Sequence, residues 1–86
     1  MSIITIALKL YASLIEFFPE KVKNNRLEIG LKSNTTVAEV LSNFQIPAER
    51  AHLVLINGVY IPPEERAEKC LRENDVLAVW PPVAGG

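Results

Sequence analysis

One segment of the chain has both a strong helix start and a strong helix stop, and it restricts the possible folds more than any other feature. Thr36 and Glu39 stand three residues apart, the spacing of a capping box in which each side chain bonds the other residue's backbone N–H. Pro47 ends the segment, and its apolar residues have helical spacing: Val37, Val40, Leu41 and Phe44. We therefore predict one main helix with an apolar stripe that faces a sheet.

Two segments before this helix alternate apolar and polar residues, as strands with one buried face do. Residues 4–10 and 26–31 both follow this pattern, and we expect them to pair antiparallel because they are neighbours in sequence. Between them, "ASLIEFF" breaks the alternation before Pro19, which predicts a short helical turn that ends near Phe17 or Phe18, and "EKVKNN" is a polar loop.

Four more elements are predicted after the main helix. The runs "LVLI" and "VYI" flank Asn57-Gly58, the dipeptide typical of a type I′ hairpin turn. After Pro62 and Pro63, "EERAEKCL" indicates a short helix with a Glu65 to Lys69 pair. Residues 76–80 form a last strand, which Pro81 and Pro82 end because proline cannot donate a ladder hydrogen bond.

This order of elements packs most simply as an α+β fold, a mixed β-sheet across one face of one main helix. A chain of 86 residues with 49% hydrophobic and 22% charged residues has the composition of a globular domain with room for one core. We assign residues 1–80 to this domain and residues 81–86 to a flexible C-terminal tail.

Composition also argues against several classes of partner. Nine basic and ten acidic residues give a net charge of −1, and no basic cluster suited to nucleic acid appears. The apolar runs are too short to cross a membrane, the N-terminus does not resemble a signal peptide, and Cys70 is the only cysteine. We expect a cytoplasmic protein without internal disulfides.

Few residues suit catalysis. His52 is the only histidine and has no neighbour at metal-ligand spacing, so we interpret it as structural or solvated and expect no metal site. Cys70 falls in the predicted short helix, where a half-buried structural thiol is the expected state. No glycine belongs to a phosphate-binding loop, and we find no acid–base pair among the carboxylates. We therefore do not expect an enzyme.

The end of the chain, "VWPPVAGG", has two interpretations on composition alone. It is either a frayed end, because ordered glycine costs much backbone entropy, or a projecting segment that starts stiff with two prolines and finishes without side chains. Such a segment would fit a slot too narrow for a Cβ atom.

The sequence resembles the MoaD/ThiS family of ubiquitin-like sulfur carriers, and its MoaD side in particular. The resemblance rests on "HLVLINGVYIPPEERAEKCLRENDVLAVWPPVAGG", on "IALKLYASL" and on "TTVAEVL", with the Gly-Gly end as its most specific mark. It implies a ubiquitin-like β-grasp fold over residues 1–80.

The resemblance also implies a function in which the protein is a substrate and non-catalytic subunit. A ubiquitin-activating-like adenylyltransferase would use ATP to adenylate the carboxylate of Gly86, and a sulfurtransferase or persulfide donor would convert it to a thiocarboxylate. The molybdopterin synthase large subunit would then accept the tail, and sulfur would pass to a cyclic pyranopterin. No bound cofactor is implied. The tail residues that would enter the partners are Pro81, Pro82, Val83, Ala84 and Gly85.

Other functions stay open at this point. The same chemistry could supply thiazole or another sulfur-containing product, Gly86 could form an isopeptide as a ubiquitin-like modifier does, or the domain could serve interaction alone. Both faces of "LVLI" and "VLAVW" are apolar, so part of the sheet either docks a partner or lies under loops. We place Trp80 in the docking surface as a hypothesis.

Overall fold

The computed structural model describes residues 2–83 of the chain, and they form one mixed sheet with one helix against it. The strand order is β2-β1-β5-β3-β4, with β1 parallel to β5 and every other neighbouring pair antiparallel. The strands are β1 (Ile3–Leu10), β2 (Arg26–Lys32), β3 (Leu53–Ile56), β4 (Val59–Tyr60) and β5 (Val76–Trp80), and the helix is α1 (Val37–Asn43). Short 3-10 helices span Ala12–Phe17, Ala48–Arg50 and Pro63–Glu65. The predicted α+β architecture is confirmed.

The core lies between α1 and one face of the sheet. Val37, Val40 and Leu41 of α1 are buried there. They belong to one apolar cluster with alternate residues of the three central strands: Ile6, Leu8, Leu10, Val54, Ile56, Leu77 and Val79. In β1 the alternation seen in the sequence therefore marks the face that the helix covers, whereas β3 and β5 are apolar on both faces.

Helix α1 begins at the predicted capping box. The backbone N–H of Glu39 donates to Thr36 Oγ1 at 3.2 Å, and that of Thr36 donates to Glu39 Oε1 at 2.8 Å. The first two helical amides find partners outside the helix, because Val37 N donates to the carbonyl of Lys69 and Ala38 N to that of Arg66, both at 2.9 Å. The N-terminal amides of the helix are thus satisfied by its own cap and by a distant segment.

The helix ends before Pro47 in a Schellman motif. Gln45 has a left-handed backbone with φ +61°, its N–H donates to Ser42 O, and Ile46 N donates to Leu41 O, each at 2.9 Å. Glycine is the usual residue at this position, so the sequence carries only the later proline as a stop signal.

The predicted short helix over residues 64–71 is wrong. Only Pro63–Glu65 is helical, as a single 3-10 turn, and Cys70 pairs with Thr36 in an isolated β-bridge. The carbonyls of Arg66 and Lys69 accept hydrogen bonds from the first amides of α1. They therefore point toward α1 and do not take part in a helix formed by residues 64–71. The expectation for Cys70 is also wrong, because its thiol is exposed.

The side chain of Arg66 holds this segment against the domain. It is 7% exposed and donates to three backbone carbonyls: Nη1 to Ala51 at 2.6 Å, Nε to Ile61 at 3.1 Å and Nη2 to His52 at 3.4 Å. A planar guanidinium supplies this fork of donors in one rigid group. Arg66 therefore connects its own segment to the loop before β3 and to the residue after β4.

The hairpin at Asn57-Gly58 is confirmed. The two residues have φ of +52° and +84°, as a type I′ turn requires. Asn57 also joins the turn to the start of β5, since its Oδ1 accepts from Val76 N and its Nδ2 donates to Asp75 Oδ1, both at 2.9 Å. The hairpin is thereby fixed to the central strand.

We predict that Thr36→Ala lowers the free energy of unfolding by about 1 kcal/mol, because it removes the N-cap acceptor. Urea denaturation followed by circular dichroism measures the change. Ser33→Ala, three residues earlier in an exposed loop, is the control and should stay within about 0.5 kcal/mol of the native protein. Equal effects from the two substitutions would contradict the role of the cap.

We predict that Arg66→Met lowers the free energy of unfolding by about 2–3 kcal/mol, because it leaves buried carbonyls without donors. Arg66→Lys should recover only part of this loss, since one ammonium group cannot reproduce the fork. The control is Arg72→Met at an exposed arginine. An Arg66→Met protein as stable as the Arg72→Met protein would contradict the proposed anchor.

Candidate functional site

The C-terminal end of β5 is held on both sides by backbone hydrogen bonds. Tyr11 N donates to Val79 O at 3.2 Å from the β1 side, and His52 N donates to Trp80 O at 3.0 Å from the β3 side. Among residues 2–83, Trp80 is therefore the last one with a ladder partner on the sheet.

The chain leaves the sheet directly after this point. Pro81 and Pro82 have no N–H to donate, and within residues 2–83 no backbone hydrogen bond involves positions 81 to 83. Val83 is 79% exposed. The remaining tail residues of the prediction lie outside the described part of the chain: Ala84, Gly85 and Gly86.

The sheet face opposite α1 is apolar around this exit point. Trp80 is paired with Leu53, and the next row along the strands consists of Tyr60, Leu55 and Ala78. Paired residues share a face of the sheet, so these side chains form one surface. Leu53 and Tyr60 are 36% and 50% exposed, respectively. The predicted apolar second face is therefore present beside the tail, and Trp80 lies within it, half-buried.

An aromatic stack adjoins this surface. The rings of Tyr11 and Trp80 lie parallel, with an interplanar angle of 1° and centroids 4.3 Å apart. We call Tyr11, Leu53, Leu55, Tyr60 and Trp80 together the outer patch. Tyr11 was not among the predicted site residues. Its place in the alternation after Leu10 put it on this face, but its partner across 69 positions depends on the parallel pairing of β1 with β5.

The chain turns sharply after Tyr11. Ala12 has a left-handed backbone with φ +53°, which costs about 1–2 kcal/mol for a residue with a Cβ atom. The Leu14 N–H donates to Tyr11 O at 3.0 Å, and the Leu14 side chain is fully buried. The buried leucine and the hydrogen bond hold the strained turn in place.

Charged residues border the outer patch on the β1–β2 side. Lys9 is paired with Ala78 and Arg26 with Lys9, so both lie in the row that starts at Tyr60. The Lys9 ammonium lies 5.8 Å from the centroid of the Tyr11 ring, within the range of a cation–π contact. On this face the outer patch therefore adjoins two basic side chains, one on β1 and one on β2.

The residues considered for catalysis do not converge on a site. His52 and Cys70 are both exposed and lie on separate loops. Within residues 2–83, no group of three or more His, Cys, Asp or Glu side chains is placed to hold a metal ion. In the same part of the chain, no helix has the length and apolarity needed to cross a membrane.

A groove of about 620 Å³ runs beside α1, and the buried Arg66 forms part of its wall together with Leu41, Ile46, Pro47 and Pro63. Both guanidinium nitrogens of the Arg66 fork and its Nε already donate to backbone carbonyls. Arg66 therefore has a structural role in this groove, and the outer patch with the tail is the candidate functional site.

The fold is similar to several solved structures of small proteins. The Haloferax volcanii HVO 2177 protein has a TM-score of 0.74 at 24% identity, over 98% of this chain and 88% of that one. The small archaeal modifier protein 1 of Methanosarcina acetivorans has a TM-score of 0.65 at 24% identity, over the full length of both chains. At these identities the likeness concerns the fold, which is a ubiquitin-like β-grasp.

A third similar structure comes from a protein–protein complex of subunits 1 and 2 of the molybdopterin-converting factor of Helicobacter pylori. Its TM-score is 0.54 at 17% identity, over 96% of this chain and the whole of that one. No curated protein sequence matches the chain significantly. The model of the ThiS family matches residues 8–86, nearly the whole sequence. The chain belongs to the ThiS family of ubiquitin-like sulfur carriers.

Proposed function

We propose that this protein carries sulfur as a thiocarboxylate on Gly86. The observation that supports it best is the end of β5, which releases residues 81–83 from the sheet directly beside an exposed apolar surface. An adenylyltransferase joins the Gly86 carboxylate to AMP from ATP, with release of pyrophosphate. The terminal sulfur of a persulfide donor then displaces AMP to form an acyl disulfide. A second thiol of the donor attacks the donor-side sulfur of this bond, which releases the Gly86 thiocarboxylate and leaves a disulfide in the donor. Activation is needed because a carboxylate is a poor electrophile, whereas an acyl-adenylate has a good leaving group.

The tail residues have distinct physical roles in this proposal. Gly85 and Gly86 allow the backbone to approach the walls of a narrow channel because they have no Cβ atom. Pro81 and Pro82 limit the conformations that are lost on insertion. Val83 and Ala84 line the slot. The chain itself binds no cofactor, and ATP belongs to the activating partner.

The outer patch docks the partners that receive the tail. Its side chains are large, apolar or aromatic, and partly exposed although they lie on a regular sheet. Tyrosine and tryptophan are enriched at protein interfaces because they bury much apolar area with few rotatable bonds. A partner that covers this patch also meets the first residues of the tail, so docking and insertion occur at one place.

We assign the carrier to molybdopterin synthesis, as the non-catalytic small subunit of the synthase. The large subunit accepts the tail, and the thiocarboxylate passes sulfur to a cyclic pyranopterin, which builds a dithiolene. This assignment is supported by "PPVAGG", which resembles the molybdopterin branch of the family, and by the fold shared with a structure from a complex of molybdopterin-converting factor subunits. We expect the protein to act in the cytoplasm.

A ubiquitin-like protein modifier is the competing function. The fold that this chain shares with a small archaeal modifier protein supports the modifier function. In that case Gly86 forms an isopeptide with a target lysine, so the adduct on the tail separates the two functions.

We predict that intact-protein mass spectrometry detects the exchange of one oxygen for sulfur after incubation with the adenylyltransferase, ATP and a persulfide donor. Deletion of Gly86 should abolish the exchange. Gly85→Ala should reduce it at least tenfold, because a Cβ atom obstructs the channel. The matched control is Gly30→Ala in β2, where the added Cβ meets only ordinary van der Waals contact, 3.6 Å from Ile3 Cγ2.

The products distinguish the possible outcomes of this measurement. Transfer of the sulfur to a cyclic pyranopterin by the large subunit supports the synthase assignment, and transfer only to a thiazole precursor contradicts it. Lysine-linked adducts in cell extract, without thiocarboxylate, favour the modifier. No mass change with an adenylyltransferase active on another carrier would contradict the proposal.

We predict that Trp80→Ala and Leu53→Ala each weaken binding to the adenylyltransferase by about 2 kcal/mol, roughly thirtyfold in Kd, as truncations at the centre of an interface do. Isothermal titration calorimetry measures the change, and circular dichroism verifies the fold. Ile3→Ala is the control, since Ile3 is 66% exposed on the same face at the far end of β1. Unchanged affinity in folded Trp80→Ala protein would remove Trp80 from the docking surface.

A further inference from the structure

Trp80 is the only tryptophan of the chain, and its ring is held from one side by Tyr11. The two rings are parallel with centroids 4.3 Å apart. Both side chains are half-buried, so the stack lies at the surface and is not part of the core between α1 and the sheet. It stands where the tail begins, because Trp80 is followed directly by Pro81.

The backbone of Tyr11 is held on both sides. Its N–H donates to Val79 O, and its carbonyl accepts from Leu14 N. The left-handed Ala12 and the buried Leu14 then fix the direction in which the chain continues. The backbone on both sides of Tyr11 is thereby constrained, and so is the Cα–Cβ direction of the Tyr11 side chain.

The Trp80 side chain has fewer restraints of its own. The carbonyl of Trp80 accepts a hydrogen bond from His52 N. The next residue is Pro81, which has no N–H and makes no ladder hydrogen bond. A tryptophan ring at such a strand end can adopt several rotamers over the exposed face, unless a neighbour excludes all but one. The Tyr11 ring provides this restriction through stacking, which adds to the burial of both rings.

We propose that Tyr11 is a positioning residue for the tail. Its ring holds the Trp80 indole in one orientation, and this sets the direction in which residues 81–83 leave β5. The functional consequence of this role depends on the proposed carrier function. A tail that leaves the sheet in one direction loses less conformational freedom when it enters a channel. The role belongs to the ring and not to the hydroxyl group, because the contact is face to face.

The first test uses the isolated protein and needs no partner. Tyr11→Ala should increase the fast component of Trp80 fluorescence anisotropy decay and lower the amide order parameter of Val83 measured by NMR relaxation. Tyr11→Phe should keep both values as in the native protein. Tyr60→Ala is the matched control, because it removes a tyrosine ring that is 50% exposed on the same patch but not stacked on Trp80.

The second test measures the adenylation kinetics of Tyr11→Ala and Tyr11→Phe as substrates. Tyr11→Ala should lower kcat/KM about tenfold, mainly through KM, because the cost of ordering the tail is then met at binding. Tyr11→Phe should restore native kinetics, as expected for a contact made by the ring.

The two tests distinguish failure of the positioning role from failure of the carrier function. An unchanged Val83 order parameter in Tyr11→Ala, or an equal loss of order in Tyr60→Ala, would overturn the positioning role even if adenylation is impaired. If the native protein is not adenylated at all, the carrier function fails, while the anisotropy and relaxation data still decide whether Tyr11 orients residues 81–83.

Discussion

The parallel pairing of β1 with β5 is the contact on which the remaining structure depends. It joins Leu10 to Val79, so nearly the whole chain lies between the paired residues, and the loop-closure entropy is correspondingly large. Burial of Leu8, Leu77 and Val79 in the common core offsets this cost. Because the strands are parallel, their C-terminal ends meet at the same edge of the sheet. Tyr11, Trp80 and the start of the tail are neighbours for this reason.

Competition for backbone carbonyls explains the largest departure from the expected secondary structure. Residues 64–71 have the composition of a short helix, yet the carbonyls of Arg66 and Lys69 accept hydrogen bonds from the first amides of α1. A buried helix end needs such partners, and the fork of Arg66 holds the segment where it can supply them. Residues 64–71 thus do not form a helix of their own and instead supply hydrogen-bond acceptors to the N-terminus of α1. Tertiary contacts override the intrinsic helix propensity of this segment.

The outer patch has a cost in a domain of this size. A chain of 86 residues buries only about 60–65% of the surface that its unfolded form exposes. Apolar side chains left exposed on the outer face therefore contribute less to the free energy of unfolding than they would if they were buried in the core. Stacking of Tyr11 on Trp80 recovers part of it. An apolar surface next to a chain end that leaves the sheet is the arrangement expected of a protein that presents its tail to others.

The sequence by itself determined the elements whose signals are local: the Thr36–Glu39 cap, the Asn57-Gly58 turn, the alternation of β1 and β2, and the prolines that end β5. Each depends on residues within a few positions of one another, where backbone geometry and short-range hydrogen bonds decide the outcome. Only the tertiary structure decided the stack of Tyr11 on Trp80, the exposure of Cys70 and the burial of Arg66. These depend on which segments meet across the sheet and on which carbonyls are free to accept a donor, and no local pattern encodes either.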